Sequence, residues 1–255
     1  MDEISINVLD KPKLRNPVLI EGLPGIGLVG KLAADHILDE LSAVKLAELH
    51  SHSLPPQVMI ADDGTVNLVG MNFYYVKGGK HDLILLVGDF QGITPDSQYR
   101  LTERIIEFVK DFKVKRIYTL GGLGTGNLTK TPRVFGAATS KDLIKEHKKY
   151  KIIFKGGGAI LGASGLLLGI GMQHGIDGVC LMGETHGQII DAKSAEAILE
   201  VLTKILDLKI DMKALAEKAK ETEAQMMRLS QMITQNQEAQ EQQKKYLSEP
   251  PTYIR

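Results

Sequence analysis

Of the 255 residues one is cysteine and none is tryptophan. Cys180 has no second cysteine for an internal disulfide and no companions for a cysteine-based zinc site, which suits a reducing cytoplasm. An excess of either charge is missing too, with 31 Lys and Arg against 31 Asp and Glu. A net charge of zero sets up no basic field, so neither nucleic acid nor an anionic membrane is an expected partner. The opening residues Met1–Asp10 carry acids and no apolar run, so no signal peptide is expected. Gly156–Met172 is uncharged but Gly-rich, and shorter than the roughly 20 apolar residues of a membrane span. What is present is ordinary for a globular chain: 43% hydrophobic and 24% charged residues exclude wholesale disorder. A soluble cytoplasmic protein of one large or two small domains is expected.

The 26 glycines stop at Gly187, and the chain changes character there. Before that point short β-like runs alternate with helical segments, the pattern of an α/β sheet. Strands are expected at Pro17–Glu21, Ala43–Leu49, Gln57–Ala61, Val66–Val76, Asp82–Asp89, Arg116–Leu120 and Ile176–Gly183. Asp62-Asp63-Gly64 reads as a hairpin turn, and the nearly all-apolar Asp82–Asp89 as a central strand covered on both faces. Helices are expected over Leu28–Leu41, over Gly162–Gln173, and from the cap Thr94 and Pro95 to about Phe112. The pattern predicts a three-layer α/β/α sandwich with a C-terminal helical extension.

After Asp191 the sequence is helical. Asp191 caps a segment ending near Leu206, and Asp211 stands where a second cap belongs. Leu208, Met212, Leu215, Ala219, Thr222, Met226, Leu229 and Ile233 recur at alternating intervals of four and three, a heptad seam flanked by Lys, Glu and Gln. A narrow apolar stripe on a polar helix either folds back on its own domain or joins a partner, and self-association into a homo-oligomer is the expectation adopted. Glu249-Pro250-Pro251 ends that helix, leaving Thr252-Tyr253-Ile254-Arg255 as an extended segment with two large apolar side chains. The expected organisation is residues 1–207 as the α/β/α domain, 208–247 as a long oligomerisation helix and 248–255 as a docking tail.

Several motifs resemble catalytic ones. Gly25-Ile26-Gly27-Leu28-Val29-Gly30 has the spacing of a dinucleotide fingerprint and lies between a strand and a helix. Read through Lys31 it nearly makes a phosphate loop, but Leu32 replaces the hydroxyl residue that would hold Mg²⁺. The surrounding Leu23, Pro24, Ile26, Leu28 and Val29 are too apolar for a phosphate cradle, so a close-packing turn is expected and no cofactor. Ser164 in Gly162-Ala163-Ser164-Gly165 misses the nucleophile elbow by one residue and reads as a packing serine. His50 and His52 share a strand face but lack a third metal ligand. The alternative to a non-catalytic protein is an enzyme that binds a nucleoside or phosphate. It would use the loops around Gly25–Gly30 and Gly121–Asn127, with Glu184 orienting His186 as a general base.

The order of these motifs resembles a known family. Glu21 to Gly30, then Val87-Gly88-Asp89-Phe90-Gln91, then Leu120-Gly121-Gly122-Leu123-Gly124-Thr125-Gly126, then Gly183-Glu184-Thr185 are similar to the proteasome assembly chaperone family, its archaeal members in particular. The resemblance covers roughly residues 15–210. It implies a Rossmann-like α/β/α sandwich similar to phosphorylase/hydrolase-like folds, without established enzymatic activity. It also implies homo-oligomers that bind α subunits of the 20S proteasome as assembly factor or activator. Such activators insert a C-terminal hydrophobic-Tyr-X motif between α subunits, which makes Tyr253, Ile254 and Arg255 the candidate docking residues. Here Tyr253 is third from the end, and Ile254 occupies the position of the motif's tyrosine.

Overall fold

The structure is a computed structural model that describes residues 4–127 and 129–221. Eleven strands are described: β1 (Ile4–Val8), β2 (Val18–Gly22), β3 (Val44–Ser51), β4 (Val58–Ile60), β5 (Val66–Leu68), β6 (Met71–Val76), β7 (Leu83–Gly88), β8 (Arg116–Gly124), β9 (Val134–Ala138), β10 (Ile153–Phe154) and β11 (Asp177–Thr185). The helices are α1 (Val29–Glu40), α2 (Pro95–Asp111), α3 (Lys141–His147), α4 (Gly162–Gln173) and α5 (Ala192–Leu206), and residues 213–221 are helical as well.

Nine strands form one sheet in the order β1-β3-β6-β7-β2-β8-β11-β9-β10, and β4 and β5 form a separate hairpin. The centre, β7-β2-β8-β11, is parallel, while β1, β3 and β6 run antiparallel to their neighbours on one flank and β9 to β11 on the other. Successive side chains of a strand point to opposite faces, so Val18 and Ile20 enter one apolar layer and Leu19 the other. The first layer is closed by Val29, Ala33 and Ile37 of α1 and by Ile198, Leu199 and Leu202 of α5. The second is closed by Leu101, Ile105 and Val109 of α2 and by Ala163, Leu167 and Ile170 of α4. This is the expected α/β/α sandwich.

The helix signals act as their chemistry dictates. Thr94 accepts from the Ser97 amide at 3.2 Å, and Ser97 Oγ accepts from the Thr94 amide at 2.8 Å, a reciprocal cap followed by Pro95. Asp191 accepts from the Ser194 amide at 2.9 Å at the start of α5. Helix α4 spans the expected residues despite its glycines, because they allow close approach: a Cβ on Gly171 would stand 3.1 Å from Ile117 Cδ1 beneath it.

Three expectations are corrected. Val66–Val76 is two strands: the chain turns at Val69-Gly70, so β5 joins the hairpin and β6 the main sheet. A Cβ on Gly70 would lie 2.9 Å from the Leu49 carbonyl oxygen, a close approach that strand periodicity cannot reveal. Gly121–Gly124 is the end of β8, paired with β11 as far as Gly124 with Thr185, and so is no free anion-binding loop. The segment between β8 and β11 also holds β9, α3 and β10, where the sequence pattern shows only a Gly-rich region with one helix.

Candidate functional site

Parallel strands collect their following loops at one edge, which is where α/β proteins commonly bind ligands. Strands β2, β7, β8 and β11 bring the four glycine motifs to that edge. The chain bends sharply out of β2 through Gly27 (φ 64°) and Leu28 (φ 50°), two successive left-handed residues. Beyond the bend, α1 lies directly on the sheet. A Cβ on Gly30 would come within 2.0 Å of the Leu120 carbonyl oxygen, and one on Gly22 within 2.2 Å of Ala34 Cβ.

Two amides of the bend and the lysine beside it are already engaged. The Leu28 amide donates to the Gly25 carbonyl at 3.0 Å, the Val29 amide to the Ile26 carbonyl, and the Asp191 amide to the Gly27 carbonyl at 2.9 Å. Lys31, placed where a phosphate-loop lysine would be, pairs with Asp35 at 3.1 Å and Asp89 at 3.2 Å. Two carboxylates there oppose a second anion. The geometry is that of interlocked backbones.

Beneath the bend lies a feature that the sequence did not announce. Glu21 is fully buried; its Oε1 accepts from the Leu23 amide at 3.0 Å, and its Oε2 accepts from Ser164 Oγ at 2.9 Å. Burial pushes its carboxyl up to about 7, against the lowering effect of those hydrogen bonds. Ser164 therefore does more than fill space: it ties the first turn of α4 to the end of β2. Gln91 makes a parallel tie, donating from Nε2 to the Pro24 carbonyl at 2.6 Å and accepting from the Ala163 amide at 3.0 Å. The available signal was an acid inside an otherwise apolar strand, which demands partners when buried.

The catalytic alternative meets a direct obstacle. Glu184 is held by Arg133, with Nε donating at 2.8 Å and the other fork nitrogen at 2.6 Å, and the guanidinium keeps the carboxylate below its ordinary range. Its partner is thus not His186, whose buried Nδ1 makes no hydrogen bond. Cys180 is buried, and burial pushes its thiol up to about 12, far from a reactive thiolate. His50 lies 3.9 Å from Glu48, and among the described residues no group of three or more His, Cys, Asp or Glu could hold a metal ion. Among the same residues no helix is long and apolar enough to cross a membrane.

The four described seam positions lie against their own chain. The helix begins at residue 213, after Asp211, whose carboxylate accepts from the Lys213 amide at 2.9 Å. His36 Nε2 bonds the Asp211 carbonyl at 2.7 Å and so fixes the crossing over α1. Leu215 and Ala219 are buried in the layer of α1 and α5, with Leu208 and Met212 packed at its margin. Met226, Leu229, Ile233, Tyr253, Ile254 and Arg255 lie outside the described residues.

Fold and edge together define an α/β/α protein in which Gly22, Gly30, Gly122 and Gly183 of the glycine motifs allow close packing. Residues 19–230 match the PAC2 family, and the chain belongs to it. It is similar to PbaB of Pyrococcus furiosus, an archaeal proteasome activator, at 43% identity and a TM-score of 0.87 over 90% of this chain and 100% of that one. PbaA of the same organism, an archaeal homolog of proteasome-assembly chaperone, follows at 27% identity and a TM-score of 0.77, covering 97% of this chain and 100% of that one. The uncharacterized protein MJ1210 of Methanocaldococcus jannaschii is 43% identical over 218 residues, which is 85% of this chain and 84% of that protein.

Proposed function

We propose that this protein is a non-catalytic, homo-oligomeric cytoplasmic factor that binds the α-ring of the 20S proteasome as an assembly chaperone or activator. The observation that carries this reading is the likeness to PbaB along nearly the whole body of the chain. The engaged Leu28 and Val29 amides of the bend, with Glu184 committed to Arg133, agree with a protein that acts by binding. In this reading the body orients the C-terminal helix. Leu208, Met212, Leu215 and Ala219 anchor its base, and Met226, Leu229 and Ile233 continue the seam toward other copies. Tyr253, Ile254 and Arg255 then dock between α subunits. Several copies in one assembly raise the effective concentration of such segments, so each needs only modest affinity.

The test is a pull-down with purified proteasome α subunits, comparing the intact chain with one lacking Thr252–Arg255. Capture by the intact chain, lost on truncation while the sedimentation profile is unchanged, is the expected result. Equal capture by both chains would remove the docking segment from the reading, and no capture by either would end it.

A further inference from the structure

Strand β1 closes one flank of the main sheet, and among the described residues no strand pairs with its outer side. Its pairing to β3 is regular, from Ile4 with Ser51 to Val8 with Ala47, without a bulge. An edge strand exposes alternate backbone N–H and C=O groups, and proteins guard such edges with charge, proline or a bulge. Ile4-Ser5-Ile6-Asn7-Val8 has none of the three. An open strand of this kind accepts an extended segment by main-chain pairing.

A groove of about 700 Å³ lies against this strand. Ile6 and Val8, which share a strand face, line it together with Leu14, Phe108 and Phe112. Phe108 rests on Phe73 with ring centroids 4.7 Å apart and meets Phe112 edge to face at 5.3 Å, so this floor is formed before anything binds. The other lining side chains are mostly cationic: Lys11, Lys13, Arg104 and Lys113 against the single acid Asp111. Arg104 pairs with Glu107 at 3.2 Å, whereas the three lysines are exposed and form no ion pair among the described residues. In a chain with a net charge of zero, that local excess selects a partner of the opposite sign.

We infer that the β1 edge and this groove together bind an extended segment of a partner protein, one with a branched apolar core flanked by carboxylates. A strand added to β1 places every second side chain on the face of Ile6 and Val8, where the groove receives the apolar ones. The flanking carboxylates then meet the flexible ammonium groups of Lys11, Lys13 and Lys113. An anionic lipid would satisfy the lysines and the apolar floor but would leave the backbone groups of β1 unpaired, so a peptide is the better match. The inference goes beyond the proposed α-ring docking. This surface is built from residues 4–14 and 104–113 on the flank of the sheet, and its test contains no proteasome subunit.

The experiment titrates the full chain into a fluorescein-labelled peptide, a valine-threonine-valine core with glutamates at each end, and follows anisotropy. Hydrogen exchange of residues 4–8 locates the contact. Saturable binding that slows exchange in β1 is the expected result. Lys11→Glu/Lys13→Glu is expected to weaken binding about tenfold or more, whereas Lys11→Arg/Lys13→Arg binds as the natural chain does. Both positions are exposed, and circular dichroism verifies the fold. The same peptide N-methylated through its core is expected not to bind, which tests main-chain pairing without any change to the protein. The inference is overturned by absence of binding, by equal binding of a folded glutamate variant, or by equal binding of the N-methylated or a lysine-ended peptide. Bound peptide that leaves β1 exchange unchanged also overturns it. So does a β1 edge already protected in the free chain, by another copy or by residues beyond Glu221, and so does adsorption to phosphatidylglycerol vesicles without peptide binding.

Discussion

The bend after β2 and the hairpin of β4 and β5 stand on the same edge of the sheet, and their sequences suggest opposite roles. The bend carries a nucleotide-like glycine pattern, yet glycines in and around it seat backbone on backbone: Gly30 on the Leu120 carbonyl, Gly22 on the Gly30 carbonyl and Gly122 on the Ile26 carbonyl. The hairpin carries no recognised motif, yet Val58, Ile60, Val66 and Leu68 are all exposed. A glycine pattern reports that something approaches closely; whether that is a phosphate or a neighbouring strand is settled by what occupies the space. Exposed apolar residues in register report a missing neighbour.

Substitutions should separate the two regions sharply. The largest effect is expected for Gly30→Val, whose added atoms collide with the β8 backbone at Leu120 and leave no flexible side chain to yield. A loss of about 4 kcal/mol or more is expected, read as a collapsed urea midpoint or failure to fold. A variant within 1 kcal/mol of the natural chain would mean that α1 can lift from the sheet and that the bend has room for a ligand.

A smaller effect is expected from Glu21, where a buried acid sits in the same bend. Its carboxyl is raised from an ordinary 4.5 to about 7, so the folded state holds a proton there that the unfolded chain has released. Its contribution is therefore full below about pH 4.5 and is lost as pH rises through 7, at up to ~1.4 kcal/mol per pH unit across that window. Glu21→Gln keeps an acceptor for the Leu23 amide and offers a neutral group to Ser164. Urea midpoints at pH 5 and pH 8 should therefore differ less in the variant than in the natural chain. An identical difference in both would remove Glu21 as the source.

The smallest effect is expected in the hairpin. Ile60→Thr should change folding stability by no more than about 0.5 kcal/mol, because the side chain is 75% exposed. A loss of 2 kcal/mol there, measured by urea titration, would show that the face is covered within its own chain and would erase the contrast with the bend.

Much of this molecule was legible in advance, for local reasons. Thr94-Pro95 and Asp191 announce helix starts because a side-chain oxygen meets an amide a few residues on. The apolar run within Asp82–Asp89 announces a strand buried on both faces, and β7 is buried throughout. The family was legible from four motifs in order, and membership in PAC2 agrees with it. The site was less legible. Nothing near Glu184 in sequence points to Arg133, and nothing near Ser164 points to Glu21, because each pair is joined only when distant strands and helices pack. The heptad seam is one stripe in sequence, but its four described positions lie on the chain's own core.

Composition, apolar periodicity and capping residues by themselves determined the layered α/β/α architecture, since each acts over a few residues and needs no distant partner. Tertiary structure alone decided that Gly22, Gly30 and Gly122 admit backbone, that Glu184 belongs to Arg133, and that the apolar residues of a short hairpin stand exposed. Those outcomes depend on which atoms occupy the space beside a residue, and a linear chain does not record that space.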